Sequence, residues 1–173
     1  MKLKVLRIAA ILLLSFIWTA KPAIGQNILK GSGEPVSFME FAVACDNKSV
    51  EEVKGFFERK GWNHINSLWE SPDKYGIESF TLRNATGEND TLSIYIFDKK
   101  SIKGRFRTTD RTLFKGYEKA LPSSGFRTVS LVIEKDTMIS RFASEDFETT
   151  FYEPEKSYRL PGNDVYLVVI ERR

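Results

Sequence analysis

The sequence is poor in cysteine and histidine, the two residues that most often supply nucleophilic, redox and metal-binding chemistry. It has one of each, Cys45 and His64, in 173 residues. A lone cysteine closes no intramolecular disulfide, and a zinc site needs three or four ligands, of which these two types supply one each. A Cys–His nucleophile pair would require the two to meet across a helix and a loop. We therefore expect a buried, inert thiol, no metal site and no cofactor.

The sequence also lacks the linear motifs of common enzyme classes. It contains no P-loop, no G-x-G-x-x-G dinucleotide motif, no G-x-S-x-G nucleophile elbow and no acidic calcium loop. We expect no catalytic residue on this inventory. Two carboxylates on one face of a sheet leave no linear motif, so a small carboxylate-dependent hydrolase stays open as an alternative.

No apolar run reaches the roughly 20 residues that a membrane-spanning helix needs. The longest, residues 8–20, has 13 residues broken only by Ser15 and Thr19, follows three basic residues, and precedes small residues at Ala23 and Gly25. This is the pattern of a secretory signal peptide cleaved after Gly25, with an uncleaved anchor as the alternative. We expect residues 1–25 to be a signal peptide, a secreted or periplasmic protein, and no stable membrane span after cleavage.

Without the predicted signal peptide, the chain has almost no excess of charge of either sign. The whole chain has 26 basic and 23 acidic residues, but residues 1–25 hold four of the basic ones and no acid. Residues 26–173 thus have 22 basic and 23 acidic residues, a net charge of −1. The basic isoelectric point belongs to the signal, so nucleic acid is not expected as a partner.

The chain has enough apolar sequence for one folded domain. Apolar residues make up 42 % of it and aromatic residues 13 %, which places it among globular rather than disordered chains. Residues 26–36 contain two glycines and a proline and are expected to be a flexible lead-in. We expect residues 37–173 to form a single domain.

The organising feature is a capped amphipathic helix in residues 46–62 and a degraded copy 64 positions later, in residues 110–126. Ser49 and Glu52 match a capping box, an apolar stripe follows, and Gly61 ends the helix. In the copy, Asp110 is the cap and Pro122 ends the helix. Aligned without gaps, the two stretches share their apolar positions and end in Gly-Trp and Gly-Phe.

Alternating apolar and polar residues predict four strands after each helix. We expect them at residues 62–69, 76–83, 91–98 and 104–108, and then at 128–134, 137–143, 147–153 and 164–172. The last is apolar on both sides, as a central strand would be. A short helix from Ser37 is also predicted, with Phe38, Met39, Ala42 and Cys45 on one face, although the same residues would fit a strand.

These elements predict an α+β fold, a tandem pseudo-repeat of helix-then-antiparallel-strands in two units, residues 37–109 and 110–173. The helices would pack on one face of a continuous antiparallel sheet, because each has one apolar stripe to bury. The element order resembles that of the β-lactamase inhibitor proteins, exported and built from two helix-plus-four-strand units, and of the wider TBP-like double repeats. Residues 50–62 with the strands after them also look like small exported bacterial proteins. The chain lacks the inhibitor family's paired cysteines, and the resemblance implies a fold without an activity.

Two stretches are candidates for binding. Residues 99–115 hold seven basic residues, including Arg105 and Arg107, against one acid. They fit either a site for an acidic partner, an anionic glycan or a lipid headgroup, or a solvated charged edge strand. The other candidate is the aromatic set Trp69, Tyr75, Tyr95 and Phe97.

The two faces of the strand at residues 91–98 decide what the aromatic set does. If Leu92 and its apolar alternates face the helices, Tyr95 and Phe97 lie on the open face; with the faces exchanged they are core. We predict an exported, non-enzymatic binding module that acts on a protein or cell-envelope component through the open sheet face, with a structural accessory subunit as a further alternative. A deep pocket lined by acids with raised pKa would instead favour the hydrolase.

Overall fold

The computed structural model describes residues 33–84, 87–155 and 164–173, in which three α-helices, a short 3₁₀ helix (Pro122–Ser124) and eight strands are formed. The predicted signal peptide and most of the lead-in lie outside these residues. The helices are α1 (Phe38–Ala44), α2 (Val50–Arg59) and α3 (Arg111–Ala120). The strands are β1 (Asn63–Leu68), β2 (Gly76–Arg83), β3 (Asn89–Phe97), β4 (Lys100–Thr108), β5 (Arg127–Glu134), β6 (Thr137–Ala143), β7 (Phe147–Pro154) and β8 (Tyr166–Arg172).

All eight strands form one antiparallel sheet in the order β1-β2-β3-β4-β8-β7-β6-β5. This confirms the α+β class and the single antiparallel sheet. β4 is longer than the predicted strand at residues 104–108 and lies at the centre of the sheet, between β3 and β8. The interpretation of this basic stretch as a charged edge strand is therefore wrong. β8 is central, as its two apolar sides predict.

The core lies between the three helices and one face of the sheet. Its largest fully buried side chains are aromatic, and they come from all three helices and from β2, β4 and β7: Phe38, Phe41, Phe57, Phe80, Phe106, Phe114 and Phe151. The predicted apolar face of α1 is wrong at Met39, which is 46 % exposed, whereas Phe41 is fully buried. Phe41 packs over Gly104 of β4, where no Cβ keeps the helix from the strand.

The helix ends follow the local rules of capping. The Ser49 hydroxyl accepts the Glu52 N–H at 3.3 Å, and the Glu52 carboxylate accepts the Ser49 N–H at 2.8 Å. This is the predicted capping box. Gly61 follows α2 with φ of 80°, the left-handed conformation that its lack of a Cβ permits.

The last residues of the predicted lead-in are packed against the domain. Val36 is 1 % exposed, and the Tyr117 hydroxyl donates to its carbonyl. Glu34 donates its N–H to the Lys60 carbonyl at 2.9 Å and accepts the indole N–H of Trp62 at 3.2 Å through its own carbonyl. This segment therefore lies along the end of α2.

Candidate binding face

Within residues 33–84, 87–155 and 164–173, the core and all three helices lie on one side of the sheet. β3 shows the two sides most clearly. Its apolar alternates, such as Leu92 and Ile94, are fully buried toward the helices, whereas Tyr95 is half-buried and Phe97 is 50 % exposed on the other side. The predicted faces of this strand are therefore confirmed. We call the side with Tyr95 the open face.

Three of the four predicted aromatic residues meet at one end of the open face. The ring of Tyr75 lies 6.4 Å from that of Tyr95 and 5.8 Å from that of Phe97, between centroids, both edge to face. Such pairs contribute about 0.5–1.5 kcal/mol beyond area burial. We call these three residues the aromatic cluster. Trp69 is 91 % exposed directly after β1 and makes no ring contact within the described residues.

A fixed connection between β1 and β2 holds this cluster in place. The Glu70 carboxylate accepts the N–H of Asp98 at 2.6 Å and the N–H of Lys99 at 3.1 Å. Asp98 and Lys99 form the β3–β4 turn, and both have positive φ, 48° and 59°, as a type I′ hairpin turn requires. Glu70 thus ties the loop that contains Tyr75 to the turn that follows Phe97.

A row of three cations on β4 runs beside the aromatic cluster. Lys103 lies directly opposite Tyr95, and Arg105 and Arg107 follow on the same face at two-residue intervals. The Lys103 ammonium contacts the Glu171 carboxylate of β8 at 3.0 Å. Both arginines are exposed, and neither makes an ion pair with any part of the chain that the structure describes. The sequence prediction named the two arginines but not Lys103.

The single histidine lies on the helix side, in a polar cluster between α2 and the sheet edge. The Glu78 carboxylate has 8 % of its side chain exposed, and its Oε2 accepts the His64 Nε2–H at 2.6 Å and the Ser67 hydroxyl at 2.7 Å. Lys54 Nζ lies 3.3 Å from the same oxygen. A bulge at Ile65 turns His64 and Ser67 to the same face. Simple alternation puts them on opposite faces, so this cluster could not be predicted from the sequence pattern.

The polar cluster lacks the geometry of a nucleophile–base relay. A relay places the serine on one imidazole nitrogen and the acid on the other. Here the Ser67 oxygen lies 3.2 Å from His64 Nε2, the nitrogen that already contacts Glu78, and its hydroxyl donates to Glu78. His64, Ser67 and Lys54 all contact the buried Glu78 carboxylate and stabilise its charge, which is a structural role.

A groove of about 710 Å³ also lies on the helix side, bounded by the segment before α1, by α3 and by the ends of β2 and β3. Its lining is largely apolar and includes Phe38, Leu82 and Leu113. Asp90, 2 % exposed, also lines it, and burial raises the pKa of this carboxyl. Asn84 donates its side-chain amide to Asp90 Oδ1 at 2.8 Å.

The other acid in the groove, Asp110, is the N-cap of α3. Its Oδ1 accepts the N–H of Thr112 at 2.8 Å and of Leu113 at 3.2 Å. Glycosidic hydrolysis by carboxylates uses a pair, one as acid and one as base or nucleophile. The groove therefore offers one carboxyl with a raised pKa and a second that caps a helix.

The other reactive groups are unremarkable within the described residues. Cys45 is fully buried, and burial raises the pKa of its thiol well above the ordinary value, which keeps it protonated. No group of three or more His, Cys, Asp or Glu side chains in these ranges is placed to hold a metal ion. None of the described helices has both the length and the apolar character needed to cross a membrane.

Comparison with known proteins finds no match among family models, curated proteins or solved structures. The resemblance in element order stays a prediction. The open face and the groove are two candidate sites among the described residues.

Proposed function

We propose that the protein is an exported, non-enzymatic binding module that captures a protein or cell-envelope component on its open face. The main support is the exposed aromatic cluster on the same face as Arg105 and Arg107, two cations without an ion-pair partner in the described residues. The residues that dominate binding energy in protein interfaces are enriched in aromatic and arginine side chains, because these bury a large area with few rotatable bonds or form several hydrogen bonds.

The centre of the open face fits an acidic partner. Arg105 lies opposite Val169 of β8 and Arg107 opposite Leu167, and both apolar neighbours are half-buried. A guanidinium beside apolar surface is partly shielded from water and binds a carboxylate or phosphate through two hydrogen bonds. An extended acidic segment of a partner would reach both arginines and the aromatic cluster along β4.

The proposal includes a two-unit organisation of the chain. A ten-residue helix followed by four strands occurs twice, and the two sets of strands join at β4 and β8. At the spacing of 64 residues, Gly61 and Gly125 both have φ of 80°. The bulge at Ile65 in β1 has its counterpart at Val129 in β5, at the same spacing. Bulges are conserved between related chains, so these coincidences support a duplication.

The groove favours a second candidate function, a small carboxylate-dependent hydrolase. A carboxyl whose pKa is raised by burial, placed in a largely apolar groove, is the usual form of a general acid. Asp90 has these properties. The binding module is the better supported of the two, because Asp110 is engaged in capping α3.

A pulldown from the native envelope fraction tests both functions, with the exported product of the full-length chain as bait. Tyr95→Ser combined with Phe97→Ser is expected to reduce specific capture at least about tenfold, since the loss of buried interface aromatics costs roughly 2 kcal/mol or more. The matched control is Met39→Ser combined with Val43→Ser. These side chains are 46 % and 51 % exposed on α1, on the side away from the open face, and capture should be unchanged.

Capture that persists in a folded Tyr95→Ser and Phe97→Ser variant would exclude the open face as the binding surface. The variant Asp90→Asn distinguishes the second candidate. If the protein is a binding module, Asp90→Asn leaves capture intact. If it is a hydrolase, Asp90→Asn abolishes hydrolysis of envelope material, whereas the variant with Tyr95→Ser and Phe97→Ser hydrolyses it fully.

A further inference from the structure

β5 is an edge strand whose side chains are almost entirely exposed. Only Ser130 is half-buried, and four large apolar side chains are 41–64 % exposed: Val129, Leu131, Val132 and Ile133. β5 pairs with β6 alone, so the outer N–H and C=O groups of its backbone face no strand of the described sheet. An apolar edge with unpaired backbone groups is a template for another strand.

The opposite edge of the sheet differs in length and chemistry. β1 has six residues with the sequence NHINSL, which is mostly polar. His64 and Ser67 of β1 point into the polar cluster with Glu78. β1 exposes two large apolar side chains, Ile65 and Leu68, against the four of β5, so the more extensive apolar edge is that of β5.

We propose that β5 pairs antiparallel with β5 of a second copy of this chain, with a two-fold axis at Leu131, so that two eight-stranded sheets become one. The strand is self-complementary in charge. It begins with Arg127 and ends with Glu134, both exposed, and neither makes an ion pair within the described residues. The two-fold axis places Arg127 of each copy opposite Glu134 of the other.

The bulge in β5 makes this register possible. Arg127 and Glu134 are seven positions apart, and in a regular strand they would point to opposite faces, whereas residues opposite each other in an antiparallel pair share a face. The extra residue of the bulge, Val129, corrects the parity. Arg127 pairs with Ala143 and Glu134 with Thr137 in β6. These partners are six positions apart on one strand, so the two charges lie on the same face.

The same register matches the apolar side chains. With the bulge residue left unpaired on both copies, Leu131 meets its own copy on the axis and Ile133 meets Thr128. Cross-strand pairs of this kind stabilise a sheet. Backbone, apolar and charged groups are then all matched by one isologous contact, which is why a second copy is the occupant. The pairing leaves the open face uncovered, so this inference and the proposed function stand or fail independently.

Sedimentation equilibrium on the exported product of the full-length chain tests the pairing. Protein concentrations of about 1–100 μM cover the dissociation constants expected of a modest isologous interface. The expected result is a monomer–dimer equilibrium. Leu131→Lys places two ammonium groups together on the axis and should weaken the dimer at least about tenfold, because like charges opposite each other oppose pairing. Leu68→Lys is the matched control, since Leu68 is 52 % exposed on the other edge strand, and it should change nothing.

Charge exchange tests the register. Arg127→Glu alone or Glu134→Arg alone sets like charges opposite each other at both ends, and each should weaken the dimer several-fold. The double variant restores both pairs and should return the dissociation constant to within about threefold of the starting value, the mark of a coupled pair. A chain that stays monomeric throughout, a dimer weakened by Leu68→Lys and not by Leu131→Lys, or a double variant as weak as the singles would overturn the proposal.

Discussion

Two buried carboxylates in this protein, Glu78 and Asp90, differ in whether hydrogen bonds or burial dominate their surroundings. Glu78 receives three donors and is a paired group on the helix side of β2. Asp90 receives an amide from Asn84 and a hydroxyl from Thr108, yet burial is the largest influence and raises the pKa of its carboxyl. The folded state therefore holds the Asp90 proton more tightly than the unfolded chain does.

The raised pKa of Asp90 predicts a loss of stability with rising pH. Between the unfolded pKa, about 3.9, and the higher folded pKa, the folded state binds more protons, so this group's contribution to stability falls as pH rises. The variant Asp90→Asn removes that titration. Urea unfolding from pH 4 to pH 7 should show the stability of Asp90→Asn improving relative to the parent chain as pH rises, and then levelling off. A constant difference across the range would contradict the shift.

At the scale of elements, α1 packs closely on β4 because Gly104 has no side chain. A Cβ built on Gly104 would lie 2.4 Å from Phe41 Cε2 and 2.5 Å from Cys45 Sγ, both fully buried. Neither side chain can move without disturbing the core, because protein interiors are close-packed. Gly104, the first residue of the stretch GRFRT, therefore determines how closely α1 packs on the sheet.

Gly104→Ala should consequently destabilise the protein by about 2 kcal/mol or more, as overpacking in a well-filled core does. The chain provides its own control in Gly116 of α3, where an added Cβ meets nothing within 4 Å. Gly116→Ala should stabilise the fold by roughly 0.5–1 kcal/mol through helix propensity. Chemical unfolding of both variants measures the difference. Equal effects of the two substitutions would show that α1 does not rest on Gly104 as described.

At the scale of the whole molecule, the residues that the structure describes form one core, which the two predicted units share. Phe38 of α1 lies 5.3 Å from Phe126, between ring centroids, and 6.3 Å from Phe151 of β7. Phe106 of β4 lies 5.3 Å from Tyr117 of α3. β4 and β8 pair along the seam between the units. The unit boundary at residue 109 thus passes through the core and through the middle of the sheet.

Residues 37–109 alone should accordingly fail to fold. Separation would expose these aromatic contacts and the pairing edge of β4, and a single core in a chain of this size supplies only about 3–5 kcal/mol of stability even when it is intact. The expected result is an absence of cooperative thermal unfolding and of near-ultraviolet circular dichroism, with recovery of both signals on mixing with residues 110–173. Cooperative unfolding of the isolated unit would instead show that each unit is an independent domain.

Patterns within a few residues were enough to predict much of this fold. Capping at Ser49, helix termination at Gly61 and the two faces of β3 depend on groups at most four positions apart, and the structure has all three. They sufficed for the α+β class and for the position of Tyr95 and Phe97 on the open face, whereas the contact of Tyr75 with both rings, which Trp69 does not share, comes from the loop between β1 and β2.

The tertiary structure alone decided what depends on pairing between distant strands. The central place of β4, which overturned the charged-edge interpretation, comes from its pairing with β8, about sixty residues later. The polar cluster around Glu78 and the charge register of β5 both depend on bulges, which change side-chain parity without a mark in composition. The groove at Asp90 forms only where α3 meets the ends of β2 and β3. Local sequence determines which side of an element is apolar, while the packing of the whole chain determines what that side meets.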